Sequence, residues 1–228
     1  MSTGIILTAG KSTRLENKVL LPIKGGVMFE SALNFLRQHE TIENIVVVQD
    51  RSRVVESYWK IRSEYYEGDC PEVEFVVQPK PVGISDALNR AAILCSDNAV
   101  ITFGDNRYPT LPDPHTMSIV KNGIPDYCTY ISYDTQTKLP ELDRYEPNHL
   151  KTCQWSERDN GVHKYYLAGF LGLKRSTMED MDGPLINFLN DQKIKGVKLS
   201  AQWTNEWMDL GTVPTYQTYL NLWRIHEA

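Results

Sequence analysis

Three stretches of this chain hold residues that could do chemistry on a polyanion. In the first, the apolar run Ile5 to Ala9 ends at Gly10, and Lys11, Arg14 and Lys18 follow within eight residues. A glycine there lets backbone amides approach an anion closely, and the cations surround it with positive charge. That combination suits a nucleoside triphosphate. In the second, Gln78-Pro79-Lys80-Pro81-Val82-Gly83 is a proline-bracketed turn running into a helix whose free N–H groups can meet a nucleotide. In the third, the apolar run Val100 to Phe103 ends in Gly104-Asp105-Asn106. A carboxylate in that position suits Mg²⁺, which needs only one or two protein ligands when phosphates complete its shell.

Competing motifs fail on particular residues. Gly10-Lys11-Ser12 looks like the end of a phosphate loop, but the front glycine of that pattern would have to be residue 5, which is Ile5 inside an apolar strand. The dinucleotide pattern fails at Ser12. The five histidines show no metal-binding spacing, the four cysteines form no C-x-x-C pair, and no G-x-S-x-G elbow is present. The bland readings are a solvated basic turn for the first loop, an ordinary loop for the second, and a turn or helix cap for Asp105.

The strands and helices needed to position these residues can be read from the pattern. Strands are expected near 4–9, 44–49, 73–78 and 99–104, alternating with helices near 27–39, 52–65 and 84–95. Runs such as Ile45-Val46-Val47-Val48 suit strands covered on both faces. The implied fold class is α/β: a Rossmann-like three-layer α/β/α arrangement around a mostly parallel central sheet, with a small antiparallel addition in the C-terminal half. For that half the reading is strands near 127–133, 149–156, 164–173 and 196–203, a hairpin turn at Arg158-Asp159-Asn160-Gly161, and helices near 175–191 and 213–226. Ligands of such sheets bind beyond the carboxyl ends of the strands, so the residues after Ala9, Val77 and Phe103 should face one crevice. The 228 residues suit a single domain, with 1–110 mainly binding nucleotide and 111–228 mainly binding an acceptor.

Composition narrows the partners. The net charge is −5, from 29 acidic and 24 basic residues, and no basic stripe gathers on any expected helix, which disfavours nucleic acid. No run of ~18 apolar residues offers a membrane span, and the N-terminal residues enter a strand directly, so a cytoplasmic protein is expected. Homo-oligomers stay open.

The motifs together resemble the nucleotidyltransferase superfamily, whose opening signature L-x-A-G-x-G-[ST]-R is followed by P-K and a hydrophobic run. Leu7, Ala9, Gly10, Thr13, Arg14 and Lys18 match; Ser12 replaces the second glycine, and Asn17 the proline. The compact spacing from Arg14 to Lys18 looks like the cytidylyltransferase and molybdenum-cofactor branches. Trp207-Met208-Asp209-Leu210-Gly211-Thr212 resembles the family's W-x-D-x-G-T segment.

The resemblance implies that Leu7, Ala9, Gly10, Lys11, Ser12, Thr13, Gln78, Gly83 and Asp105 bind the nucleotide. Arg14 and Lys18 would hold the triphosphate and stabilise the departing pyrophosphate, and Asp105 and Asp209 would hold Mg²⁺. Glu157, Arg158 and Gly169 fall where the family binds the acceptor, with Arg158 replacing a lysine. The implied partners are a nucleoside triphosphate and a phosphorylated acceptor, foremost a sugar 1-phosphate. Phosphocholine, another alcohol phosphate or a molybdopterin are alternative acceptors; a glycosyltransferase and a non-catalytic nucleotide-binding protein are alternative readings.

Overall fold

The computed structural model of the chain describes residues 2–10, 17–39, 41–65, 72–107, 127–133, 165–185, 187–188, 199–204 and 208–227. It opens with β1 (Ser2–Leu7), whose neighbours Ile5 and Ile6 are fully buried in two different apolar clusters, one on each face of the sheet. A 3-10 turn at Lys18–Leu20 and a hairpin of β2 (Pro22–Ile23) and β3 (Gly26–Val27) lead into α1 (Met28–Arg37). Phe29, Ala32, Leu33 and Leu36 recur at helical spacing and bury one face of α1, at about 1.5–3 kcal/mol for each large side chain. At its start, the Glu30 carboxylate accepts the Val27 N–H at 3.0 Å, satisfying a donor the helix cannot.

There follow β4 (Ile42–Gln49), α2 (Val54–Arg62), β5 (Val73–Val77), α3 (Ile84–Ala92), β6 (Asn98–Phe103) and β7 (Asn106–Arg107). Then come β8 (Tyr127–Tyr133), β9 (Tyr165–Lys174), α4 (Arg175–Glu179), β10 (Leu199–Thr204), β11 (Met208–Asp209) and α5 (Val213–Glu227). The main sheet has seven strands in the order β10-β8-β9-β6-β1-β4-β5. Strand β1 lies parallel to β4 and β6, β5 parallel to β4, and β10 parallel to β8; only β9 runs the other way. One cluster joins α1 and α2 to Ile6, Val47, Val100 and Phe170, and the other joins α3 and α4 to Ile5, Val48, Ile101 and Leu171. The fold is therefore a three-layer α/β/α sandwich on a mostly parallel sheet.

The antiparallel part, within the described residues, has two pieces. Strand β9 is inserted within the main sheet between β6 and β8, while β7 pairs with β11 in a two-residue ribbon. The strand expected near 149–156 and the turn at 158–161 lie outside the described residues. The helix expected over 175–191 is continuous only to Glu179; the chain turns at Gly183 and Pro184 and is helical again by Leu185. Helix α5 comes back to the start of the chain. Tyr219 packs with Ile23, Met28 and Leu210, its hydroxyl accepts the Lys24 N–H at 2.8 Å, and the Tyr216 hydroxyl donates to the Pro22 carbonyl at 2.7 Å. No described helix is long and apolar enough to cross a membrane.

Candidate active site

Chain order turns back at β1, since the segment after β1 goes to β4 and β5 on one side and returns to β6 on the other. Sheets of this kind open a crevice at that switch point, beyond the strands' carboxyl ends. A cavity of about 320 Å³ lies there, walled by Leu7, Ala9, Val19, Pro81, Ile84 and Ala87 and reached by Gly10, Lys18, Gly83 and Asp105. Its walls are largely apolar with a few polar groups, the usual make-up of a small-molecule site. Two bonds knit its floor: the Gly104 N–H donates to the Leu7 carbonyl at 3.0 Å, and the Thr8 hydroxyl donates to the Val48 carbonyl at 2.9 Å.

The side of the cavity formed by the 78–83 turn is held by one glutamine. Gln78 is buried; its amide nitrogen donates to the Gly83 carbonyl and to Asp86 Oδ2, both at 2.9 Å, and among the described residues its amide oxygen has no partner. Gln78 thus stands behind the lining and Gly83 faces the cavity. Gly83 has φ 134°, a value only glycine adopts without strain, and a Cβ there would meet nothing within 4 Å among the described residues. It also begins α3, whose unpaired first N–H groups sit beside the cavity. Asp86 is held in turn by Arg90 Nε at 2.9 Å, and that hydrogen bond keeps its carboxyl below the usual aspartate range.

The charged groups meet at the cavity mouth. The ribbon of β7 and β11 pairs Asn106 with Asp209, and the Leu210 N–H donates to the Asp105 carbonyl at 3.1 Å. The two aspartates are brought together around Gly211: a Cβ on that glycine would lie 2.8 Å from Asp105 Oδ2, 2.9 Å from Asp209 Oδ1 and 3.5 Å from Lys18 Nζ. The Gly211 N–H donates to Asp209 Oδ1 at 2.7 Å, and Lys18 Nζ forms an ion pair with Asp105 Oδ2. Two hard carboxylate oxygens bordering one space is a donor set that fits Mg²⁺ with further ligands from phosphates. Among the described residues no group of three or more His, Cys, Asp or Glu could hold a metal alone.

Of the site residues read from sequence, Leu7, Ala9, Gly10, Lys18, Gly83 and Asp105 line one cavity, and Asp209 lies beside Asp105. Lys11, Ser12, Thr13, Arg14, Glu157 and Arg158 lie outside the described residues. Gly169 lies in β9 between Leu167 and Leu171, where the pairing with β8 shifts register. Asn17 has φ 49°, which a proline cannot adopt, so its departure from the family pattern goes with a left-handed backbone. Sequence reasoning assigned no role to Val19, Ile84 and Ala87, whose apolar character reads equally well as core, nor to Gly211.

Known proteins resemble this chain in sequence and in fold. Residues 4–157 match the family model described as a MobA-like NTP transferase domain. Two curated relatives are bifunctional GlmU proteins of Methanococcus maripaludis. That of strain C7 is 24% identical over 217 residues, covering 88% of this chain and 50% of the relative; that of strain C5 is 27% identical over 107 residues, covering 44% and 24%. The chain therefore spans at most about half the length of these relatives. Among solved structures, a provisionally assigned glucose-1-phosphate thymidylyltransferase from Bacillus anthracis, in complex with sucrose, superposes with a TM-score of 0.73 at 20% identity, covering 96% of this chain and 94% of that one. The inositol-1-phosphate CTP transferase from T. maritima gives 0.67 at 14% identity, covering 100% and 97%. These structures share the fold. With the family model matched across most of the chain, including Gly10, Lys18, Gln78 and Asp105, the protein belongs to the MobA-like NTP transferase family of the nucleotidyltransferase superfamily.

Proposed function

We propose that the protein transfers a nucleoside monophosphate from a nucleoside triphosphate to a phosphorylated small molecule, foremost a sugar 1-phosphate, with release of pyrophosphate. The observation that carries this reading is the meeting of Lys18, Asp105 and Asp209 at the mouth of an apolar cavity at the sheet's switch point. A phosphate oxygen of the acceptor attacks the α-phosphorus, and the bond from that phosphorus to the bridging oxygen breaks as pyrophosphate leaves. The acceptor is already an anion, so no enzyme nucleophile is needed. The chain's task is to position two polyanions and offset their charge.

In this reading the apolar walls receive the nucleoside, Gly83 gives it room, and Lys18 with Arg14 takes the β- and γ-phosphates. Asp105 and Asp209 would hold Mg²⁺, which supplies Lewis-acid neutralisation of phosphate charge. Glu157, Arg158 and Gly169 are assigned to the acceptor. The sugar 1-phosphate is favoured by the glucose-1-phosphate thymidylyltransferase among the structural relatives, and the reading places the protein in sugar-nucleotide synthesis in the cytoplasm. Transfer of CMP to an alcohol phosphate is the second reading, favoured by the inositol-1-phosphate CTP transferase. The test is pyrophosphate release with four nucleoside triphosphates against sugar 1-phosphates, inositol 1-phosphate and phosphocholine, with and without Mg²⁺. One productive pair is expected, lost in Asp105→Asn, Asp209→Asn and Lys18→Ala, each assayed at a temperature where its unfolding curve shows it folded. Full activity in all three variants would overturn the assignment.

A further inference from the structure

We propose that Lys18 is an exchangeable counter-ion: in the free protein its ammonium neutralises Asp105, and it gives up that place to a divalent cation when a triphosphate is present to receive it. This rests on the nucleotide-transfer reading and adds the coupling by which the site's charges assemble.

The oxygen that Lys18 holds is Asp105 Oδ2, the same one that borders the space at Gly211 opposite Asp209 Oδ1. A cation between the carboxylates and the ammonium on Oδ2 therefore compete for one oxygen, and their like charges repel. Both partners are largely buried, with side-chain exposures of 15% for Lys18 and 19% for Asp105, so separating them without a new anion for the lysine is costly. Lys18 lines the nucleotide cavity, and its backbone is fixed by the 3-10 turn, where its carbonyl accepts the Leu21 N–H at 3.1 Å. Its flexible stem can then carry the ammonium from carboxylate to phosphate over a static backbone. Metal and triphosphate each favour the other by the same factor, because each removes the partner that blocks it.

The probe for the metal side is Mn²⁺ alone, with free ion measured by electron paramagnetic resonance and no nucleotide present. The wild type binds it weakly, and Lys18→Met binds it at least about tenfold more tightly. Arg14→Met, which removes an equal charge four residues earlier in the sequence, shows no such gain, and Lys18→Met combined with Asp105→Asn loses it. A Lys18→Met protein that binds Mn²⁺ no better than wild type, or an Arg14→Met protein that gains as much, overturns the exchange. The reciprocal measurement is tripolyphosphate binding in EDTA, where Asp105→Asn frees the lysine and tightens binding several-fold; an unchanged or weaker affinity also overturns it. Turnover is read separately by pyrophosphate release. Exchange without pyrophosphate keeps the coupling and removes the transfer reading, and pyrophosphate without exchange does the reverse.

Discussion

Gly211 shows how much of the site depends on one missing methyl group. Its added Cβ would come within 2.8 and 2.9 Å of two carboxylate oxygens, closer than carbon normally approaches oxygen, so Gly211→Ala has to push Asp105 and Asp209 apart. Its backbone is not in the left-handed region, so the change falls on the site more than on folding. The expected outcome is a loss of about a hundredfold or more in pyrophosphate release with a nearly unchanged melting temperature, and equal activity would argue against the convergence. Asn17 supports a second residue-scale prediction. Its φ of 49° suits asparagine or glycine, so Asn17→Gly retains activity while Asn17→Pro, the residue the wider family carries, destabilises by about 3 kcal/mol in denaturant unfolding. Asp105 was legible in the sequence because a strand end followed by Gly-Asp is a local signal. Gly211 was legible only as the glycine of the segment around Asp209, because Asp105 and Lys18 come from elsewhere in the chain and meet it only in the folded structure.

At the scale of elements, the α3 entrance is a small relay in which Arg90 holds Asp86, Asp86 holds Gln78, and Gln78 holds the Gly83 carbonyl at the cavity wall. Asp86 does not line the cavity, so its effect on nucleotide must pass through the turn. Asp86→Ala is expected to raise the nucleotide KM about three- to tenfold with little change in kcat, and Asp86→Asn, which still offers an oxygen to Gln78, to restore it. A fall in melting temperature with an unchanged KM would reduce the relay to ordinary packing. The parallel strands around it were legible because runs such as Ile45 to Val48 are buried on both faces and leave few other assignments. The β7–β11 ribbon was not legible. A two-residue strand has no periodicity to read, and its pairing joins segments distant in sequence. The same limit hid the insertion of β9 within the sheet, since a strand's own residues say nothing of which neighbour it will take.

On the scale of the whole molecule, the layer opposite the cavity wall of α3 carries an ionisable group that the proposed chemistry does not use. His39 follows α1, is 2% exposed, packs edge-on to Phe35 and stacks on Phe170 of β9, and among the described residues neither ring nitrogen has a hydrogen-bond partner. Burial lowers its pKa from 6.5 to about 4. As pH falls between those values the unfolded chain takes up a proton that the folded one refuses, so stability declines across that window, by about 3 kcal/mol once pH reaches the folded value. Above the unfolded pKa the ring is neutral in both states and the penalty vanishes. Asp86 and Glu56, whose carboxyls are held low by Arg90 and Lys60, withdraw their contributions only at more acid pH, leaving the upper part of the window to the histidine. Denaturant unfolding of wild type and His39→Leu between pH ~7 and ~4.5 checks this, with the leucine variant gaining on wild type steadily as the pH drops. Curves that stay parallel would mean that His39 finds a proton acceptor in the fold that lets it charge at its ordinary pKa, and the acid sensitivity would then have to come from the carboxylates alone.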